Sequence, residues 1–235
     1  MSIFSPKTRF GRCSFLEGFT DCHSHILPGV DDGVKTMDKS LDILARYEAA
    51  GITDVWLTPH IMEDVPNTTE GLRKRFDELQ EAWKGGVRLH LASENMMDVL
   101  FEKRLQDKDF LPLPGNRLLV ETSYYNPPMD LHGILDAVKS AGYYPVLAHP
   151  ERYIYMDAKD YDRLKREDIL FQLNLSSLLG LYGRRVRAKA ESLLRKGCYN
   201  FSGTDLHRES MFVNMMQASF PKKYLKLIPH NDFLR

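Results

Sequence analysis

The chain has 235 residues with 32 basic and 32 acidic side chains, so its formal net charge is zero. This balance argues against a nucleic-acid-binding protein, which normally carries a basic excess, and no apolar run is long enough to span a membrane. The N-terminal residues lack the apolar stretch of a secretory signal. Three widely spaced cysteines indicate reduced thiols, so we expect a cytoplasmic globular protein.

The predicted elements alternate between short apolar strands and amphipathic helices. The strand-like runs cover residues 19–25, 52–60, 87–94, 117–123, 144–149, 170–175 and 199–205. The helical patterns cover residues 37–50, 68–85, 130–142, 160–167 and 184–196. Strand followed by helix, repeated, predicts a parallel α/β sheet. Seven such units favour a (β/α)7 barrel, although a doubly wound open sheet would give a similar local pattern.

The length fits a single main domain. We expect residues 1–18 to form an N-terminal extension and residues 19–235 to form the domain. The tail that begins at Met211 is less regular, and we expect it to pack as a closing segment.

Metal-ligand residue types stand at the ends of six strand-like runs. They are His23, His25, His60, Glu94, Glu121, His149, Asp205 and His207. The C-terminal ends of parallel strands build the sites of α/β proteins, and residues two apart on a strand point to the same side. A single His-x-His pair is as easily two ordinary core or surface histidines. The repetition at six ends predicts a metal site at the C-terminal ends of the strands.

The donor set consists of nitrogen and oxygen atoms without a suitably placed cysteine. Such donors favour manganese, iron, zinc or cobalt over a structural zinc–thiolate site. With Asp31 or Asp32 there are nine candidate ligands, too many for one ion, so we expect two or three divalent metal ions, with manganese preferred. Taken alone, the Asp-Asp-Gly sequence at 31–33 is better interpreted as a plain turn that leads into a helix.

Four motifs together resemble the polymerase-and-histidinol-phosphatase (PHP) superfamily, and within it the bacterial capsule and exopolysaccharide type of protein-tyrosine phosphatase. The motifs are DCHSH at 21–25, LPGVDDG at 27–33, TPH at 58–60 and AHPERY at 148–153. The resemblance runs from about residue 19 to about residue 207. It implies a distorted barrel of seven β/α units with three metal ions.

The resemblance also implies roles for individual residues. It places His23, His25, Glu94 and Asp205 around one ion. It places Glu94, Glu121 and His149 around a second ion, and Asp32, His60 and His207 around a third. Asp21 would orient a histidine from behind, and Arg152 would clamp the phosphate. Read from the residues alone, Arg152 could instead be the ion-pair partner of Glu151.

Other residues near the motifs receive weaker interpretations. Tyr124 and Tyr125 follow Glu121 and could line the mouth of the site and bind the substrate ring, or pack within a loop. Met96, Met97 and Leu100–Phe101 form an apolar patch that we interpret as core or a subunit contact, so oligomerisation is compatible with the sequence. Arg208 reads best as an exposed charge.

The resemblance implies a metal-dependent protein-tyrosine phosphatase that acts on a bacterial tyrosine kinase controlling polysaccharide synthesis. The alternatives are a small-molecule phosphomonoesterase of the histidinol-phosphatase type, a nuclease, and a non-catalytic metal-stabilised module. The neutral charge disfavours the nuclease, and the complete ligand set disfavours the module. No cysteine is followed six positions later by an arginine, which excludes the Cys-x5-Arg class of tyrosine phosphatase.

Overall fold

The computed structural model describes residues 6–234, apart from the side chain of Phe233. Within this range the chain alternates strands and helices as the sequence predicts. The strands are β1 (Lys7–Arg9), β2 (Thr20–Ser24), β3 (Asp54–Leu57), β4 (His60–Ile61), β5 (Arg88–Leu91), β6 (Glu94–Met96), β7 (Arg117–Glu121), β8 (Tyr144–Ala148), β9 (Leu170–Asn174), β10 (Phe201–Gly203) and β11 (Ser219–Pro221).

The α-helices lie between these strands. They are α1 (Met37–Ala49), α2 (Thr69–Ala82), α3 (Val99–Asp107), α4 (Leu131–Ser140), α5 (Ala158–Arg166), α6 (Leu175–Leu179), α7 (Arg184–Arg195) and α8 (Glu209–Gln217). Helix α1 begins where expected, because the Thr36 side chain accepts a hydrogen bond from the Lys39 amide. Helix α5 begins two residues before the predicted start, since Asp157 and Asp160 form a capping box there.

Parallel pairing builds two sheets. Six strands pair in the order β10-β9-β8-β7-β6-β4, and three pair in the order β2-β3-β5. The Ser24–Leu206 bridge joins β2 to the segment after β10, so the two sheets continue into one curled surface. The parallel α/β fold predicted from the sequence is therefore confirmed, as a curled sheet covered by helices.

Two predicted strands each divide into two. The run at 52–60 becomes β3 and β4, and the run at 87–94 becomes β5 and β6. In each case the first half pairs in the three-stranded sheet and the second half in the six-stranded sheet. The prediction of one continuous strand is wrong here because the chain changes sheets at Thr58–Pro59, where the proline has no amide hydrogen for a ladder.

Three helices lie outside the predicted helical patterns: α3, α6 and α8. All five residues of α6 are buried, from Leu175 to Leu179, so this helix has no polar face to produce a helical period. Helix α8 lies in the tail that the sequence presents as irregular.

Residues of the predicted N-terminal extension pack against the rest of the chain. Strand β1 pairs antiparallel with β11, and the side chains of Phe10, Phe15 and Leu16 are buried in the main hydrophobic core. Within residues 6–234, none of the helices combines the length and the apolar character that a membrane span requires.

Candidate metal centre and phosphate site

The structure brings the nine residues predicted as metal ligands together in three overlapping groups of donor atoms. Most of them are buried, whereas Asp32 is exposed and His207 is half-buried. They lie at or just after the ends of strands, with two exceptions. His60 and Glu94 begin β4 and β6 and lie opposite each other in register, because both runs divide immediately before them.

Four donor atoms converge in the first group. The Nε2 atoms of His23 and His25 are 3.1 Å apart. Glu94 Oε2 lies 3.2 Å from His23 Nε2 and 3.3 Å from His25 Nε2. Asp205 Oδ1 lies 3.5 Å and 3.3 Å from the same two nitrogens. The four residues that the resemblance assigns to the first ion thus lie together, although the donor atoms also group as His23, Glu94, His149 and Asp205, with His25 beside His60 and His207.

The second group is centred on Glu94 and Glu121. His149 Nε2 lies 3.0 Å from Glu94 Oε1 and 3.9 Å from Glu121 Oε2. His60 Nδ1 approaches the same two carboxylates, at 3.1 Å from Glu94 Oε2 and 3.0 Å from Glu121 Oε1. Glu94 Oε2 therefore contacts histidines of both groups and Oε1 faces His149, so this carboxylate connects the two groups.

The third group lies nearest the surface. Asp32 Oδ1 is 3.5 Å from His60 Nε2 and 3.4 Å from His207 Nε2. The ring of His25 stacks on the ring of His207, with centroids 4.0 Å apart, so the third group adjoins the first.

Burial and charge together shape the ionisation of these groups. Burial acts to lower the pKa of His23, but the carboxylates of Glu94 and Asp205 outweigh it and raise the pKa to about 9. Burial likewise opposes ionisation of Glu94, yet the neighbouring histidines, led by His23, hold its pKa well below the usual range. Buried carboxylates at this density require positive charge beside them, supplied by protons or by metal ions.

Four buried atoms of the centre make no hydrogen bond of good geometry, although His60 Nδ1 lies within 3.0–3.1 Å of the two carboxylate oxygens among them: His60 Nδ1, Glu94 Oε2, Glu121 Oε1 and His149 Nδ1. Buried polar atoms without partners are rare in folded proteins. Three of these atoms belong to the second group and face one another at about metal-bridging distances. The residues present therefore fit divalent ions both in donor chemistry and in their unused bonding capacity.

Polar side chains behind the centre fix the orientation of its members. Asp31 Oδ2 lies 2.8 Å from His25 Nδ1, and Gln172 Oε1 lies 3.1 Å from His23 Nδ1. Asn174 Nδ2 donates to Asp205 Oδ2 at 2.7 Å, which leaves Oδ1 to face the histidines. Such contacts select the ring nitrogen that is free to bind a metal.

Gln172 and Asn174 are absent from the sequence predictions. Strand β9 has no ligand at its end, but its polar residues alternate with Phe171 and Leu173, and all four are buried. The sequence signal for them is a pair of polar residues two apart in an otherwise apolar strand.

The role expected for Asp21 is wrong in detail. Its carboxylate accepts hydrogen bonds from the backbone amides of His23 and Thr204 and from the hydroxyls of Tyr47 and Thr204. It therefore fixes the backbone of β2 against the segment after β10, while Asp31 is the carboxylate that contacts a histidine ring.

The backbone is specialised at three points of the centre. His149 and Asp205 adopt left-handed conformations, with φ of 34° and 52°. Gly203 allows β10 to approach β2 closely, since a Cβ atom there would lie 2.6 Å from the His23 Cβ. Left-handed non-glycine residues are uncommon and concentrate at functional sites.

A cavity of about 720 Å³ opens over the centre. Its lining includes Asp32, His60, Glu121 and His207 together with Arg152 and Tyr124. Tyr125 is 69% exposed and is not among the lining residues. The exposed Arg208 and the half-buried Met96 also line the cavity, whereas Met97 and Phe101 of the same predicted patch are buried in the main core. Tyr182, which the sequence predictions omit, lines it as well.

Arg152 contacts a residue of the candidate metal centre. Its Nη1 donates to Asp205 Oδ2 at 2.7 Å. The alternative pairing with Glu151 is wrong, because that carboxylate is buried and accepts from the Asn174 amide at 3.0 Å and the Tyr199 hydroxyl at 2.9 Å. Burial acts to lower the pKa of Arg152, but the charge of Asp205 outweighs it and raises the pKa.

Known proteins resemble the chain over most of its length. It is 27% identical over 213 residues to CapC of Staphylococcus aureus, covering 88% of this chain and 84% of that protein. It is 26% identical over 194 residues to tyrosine-protein phosphatase YwqE of Bacillus subtilis, covering 80% and 76%.

Solved structures share the fold. A chain from a study of YwqE from Bacillus subtilis and CpsB from Streptococcus pneumoniae, described as unique metal-dependent tyrosine phosphatases, has a TM-score of 0.74 and 25% identity, covering 82% of this chain and 81% of that chain. The phosphotriesterase homology protein of Escherichia coli has a TM-score of 0.54 and 10% identity over 91% of this chain and 96% of its own, and it is alike in fold alone.

The family model described as "Capsular polysaccharide synthesis, CpsB/CapC" matches residues 19–225. These comparisons confirm the resemblance to capsule-type tyrosine phosphatases that the four motifs indicate. Because the match spans most of its length, the chain belongs to the CpsB/CapC family.

Proposed function

We propose that this chain is a metal-dependent protein-tyrosine phosphatase. The observation that carries the proposal is the convergence of nine histidine and carboxylate ligands under one cavity, with Arg152 beside them. Relatives in the same family, YwqE and CpsB, are described as metal-dependent tyrosine phosphatases.

The proposed ligand sets are those that the family resemblance implies, and the donor atoms of each set lie near one another. The first is His23, His25, Glu94 and Asp205; the second is Glu94, Glu121 and His149; the third is Asp32, His60 and His207. His60 Nδ1 also reaches the second set. We infer two or three divalent ions, with manganese preferred by the nitrogen and oxygen donors. Bound ions of this kind supply Lewis acidity and lower the pKa of water toward neutrality.

Arg152 is proposed to bind the phosphate. Asp205 is the one hydrogen-bond acceptor that its guanidinium has among residues 6–234, so the remaining N–H groups are free for phosphate oxygens at the cavity. A planar guanidinium donates to two oxygens at once, which orients a phosphate monoester as well as binding it.

The cavity offers an apolar wall for the phenyl ring. Its apolar lining residues are Met62, Met96, Leu181 and Met211. Methionine side chains are flexible and make favourable sulfur–aromatic contacts, which suits a tyrosine ring. The volume admits a phosphotyrosine side chain while the peptide remains outside.

A tyrosine leaving group depends less on a general acid than an alkoxide does. A tyrosine phenol has a pKa of about 10, so its anion leaves more readily than a serine alkoxide. No side chain is proposed as the proton donor, because His207, the histidine nearest the surface of the cavity, is already proposed as a metal ligand. Tyr124 and Tyr125 are proposed to contact the substrate, Tyr124 within the cavity and Tyr125 at its exposed outer side.

We propose that the curled sheet is a distorted (β/α)7 barrel of the PHP type. The proposed protein substrate is a bacterial tyrosine kinase that regulates capsule or exopolysaccharide synthesis, and the proposed location is the cytoplasm.

The test compares three substrates on the manganese-loaded protein: a phosphotyrosine peptide, the same peptide with phosphoserine, and histidinol phosphate. We expect kcat/KM for phosphotyrosine to exceed the other two by at least about a hundredfold and to vanish with a chelator. Equal or reversed preference for histidinol phosphate would reject the tyrosine assignment. Activity that persists after complete removal of metal would reject the metal-dependent one.

A further inference from the structure

The guanidinium of Arg152 lies between two tyrosine rings. Its Cζ atom is 4.3 Å from the ring centroid of Tyr124 and 4.3 Å from that of Tyr182. Tyr124 follows β7, whereas Tyr182 lies in the short connection between α6 and α7, so separate parts of the chain cover the cation. Both distances are well within the range of a cation–π contact.

This arrangement leaves Arg152 little freedom to move. The rings cover its guanidinium, and one edge is held by the hydrogen bond from Nη1 to Asp205 Oδ2 at 2.7 Å. The Arg152 side chain is only 17% exposed. A free arginine side chain loses substantial rotamer entropy when it binds a ligand, and an arginine already fixed in the bound geometry loses much less.

The tyrosines are occupied by Arg152 and by other rings of the site. The ring of Tyr124 also lies 5.7 Å from that of His149 and 6.2 Å from that of Tyr153. The ring of Tyr182 contacts the Arg152 guanidinium, and this contact assigns the ring to the arginine.

We propose that Tyr182 is a positioning residue that holds the Arg152 guanidinium ready for phosphate, and that it does not bind the substrate's phenyl ring. The proposal rests on the proposed function, because it takes Arg152 as the phosphate ligand. It makes recognition of the phenyl ring a property of the apolar wall, and recognition of phosphate a property of the Tyr124–Arg152–Tyr182 stack.

Inorganic phosphate separates the two roles, since it carries no ring. Phosphate binding to the manganese-loaded protein is measured by calorimetry for wild type, Tyr182→Leu, Tyr182→Phe and the control Tyr144→Leu, which removes an exposed tyrosine at the start of β8. We expect Tyr182→Leu to weaken phosphate binding about tenfold and Tyr182→Phe to restore most of it, because the ring face makes the contact. The control should bind as wild type does.

Kinetics on a phosphotyrosine peptide complete the test. Tyr182→Leu should lower kcat/KM by about the same factor as it weakens phosphate binding. In an Arg152→Ala background the same change should have almost no further effect, as expected for residues that act as one unit. Melting curves establish that each variant is folded, and Tyr182→Met takes the place of Tyr182→Leu if the latter unfolds.

Two outcomes would overturn the proposal. The first is phosphate binding unchanged in Tyr182→Leu while turnover of the aryl substrate falls, which would make Tyr182 a ring-binding residue. The second is a full additional loss in the Arg152→Ala background. If the wild-type protein bound phosphate but did not prefer phosphotyrosine, the proposed function would fail while the calorimetric comparison would still decide the role of Tyr182.

Discussion

The two ends of the curled sheet differ in the hydrogen bonding of particular buried polar groups. At the end that carries the candidate metal centre, buried atoms such as His60 Nδ1 and Glu121 Oε1 take part in no hydrogen bond. At the other end, the Asn231 side chain bonds to Thr20 O at 2.7 Å, Ser202 O at 2.6 Å and Ser202 N at 3.1 Å. The first set of atoms has bonding capacity in reserve, and the second has none.

The end of the sheet that contains Asn231 has a structural role. Strands β2 and β10 are terminal in their respective sheets, and the single amide of Asn231 bridges their backbones. The tail adds further closure, since Trp56 Nε1 donates to Leu234 O at 3.2 Å. The concentration of buried carboxylates and imidazoles therefore distinguishes the candidate metal centre from the other end of the sheet, where Thr20 Oγ1 also lacks a hydrogen-bond partner.

The largest expected effect comes from removing a proposed ligand. Asp205→Ala or His149→Ala should lower both metal content and turnover, with turnover falling on the order of a thousandfold, because each removes a donor to the centre. Elemental analysis and a phosphopeptide assay measure the two. His132→Ala, which removes an imidazole paired with Glu167 away from the cavity, is the control. Full metal and full activity in His149→Ala would refute the ligand sets.

Arg152→Ala should separate phosphate binding from metal binding. We expect turnover to fall about a hundredfold with metal content unchanged. Arg152 donates a hydrogen bond to Asp205 Oδ2 but offers no atom that could bind a metal ion. Arg163→Ala, at an exposed arginine paired with Glu167, controls for lost charge. Loss of metal in parallel with activity would instead make Arg152 part of the metal centre's support.

Gln172→Leu should lower the affinity of the candidate centre for metal. Its Oε1 orients His23, and loss of such a contact lowers metal affinity about 10–100-fold. Competition with a chromophoric chelator measures the affinity, and Gln106→Leu, at an exposed position of α3, is the matched control. An unchanged affinity would show that the ring of His23 is held by packing alone.

The smallest effect, and the one that sharpens the comparison most, is expected for Asn231→Ala. Removing its three hydrogen bonds should lower the free energy of unfolding by about 2 kcal/mol, because it leaves backbone groups of β2 and β10 without partners. Metal affinity should stay unchanged. Denaturant unfolding and chelator competition measure the two, with the exposed Asn126→Ala as control. A combined loss would mean that the two ends of the sheet are coupled.

Much of the fold was predictable because its signals are local. Each predicted strand-like run contains a strand, and the five predicted helices exist with small shifts at their ends. Capping residues such as Thr36 act on neighbouring amides, so the sequence alone reveals them. The division of two runs between sheets was not predictable, since it depends on which strands pair across the molecule.

The same distinction applies to the site. Ligand residue types at the ends of strand-like runs are visible in the sequence, and the structure gathers them. Gln172 and Tyr182 act through residues distant in the chain, His23 and Arg152 respectively. Their roles follow from the position of β9 beside β8 and from the course of a connection after α6, neither of which leaves a local pattern.

The left-handed backbone at His149 and Asp205 bears on how the protein could be changed by mutation. Glycine adopts such φ values without steric conflict, whereas alanine does not. Replacing either residue by glycine would relieve about 1 kcal/mol or more of conformational strain, but Asp205→Gly would also leave the Arg152 and Asn174 side chains without their common acceptor. The strained backbone and the side-chain contacts are therefore retained together, and relieving the strain by mutation would remove the groups that the site uses.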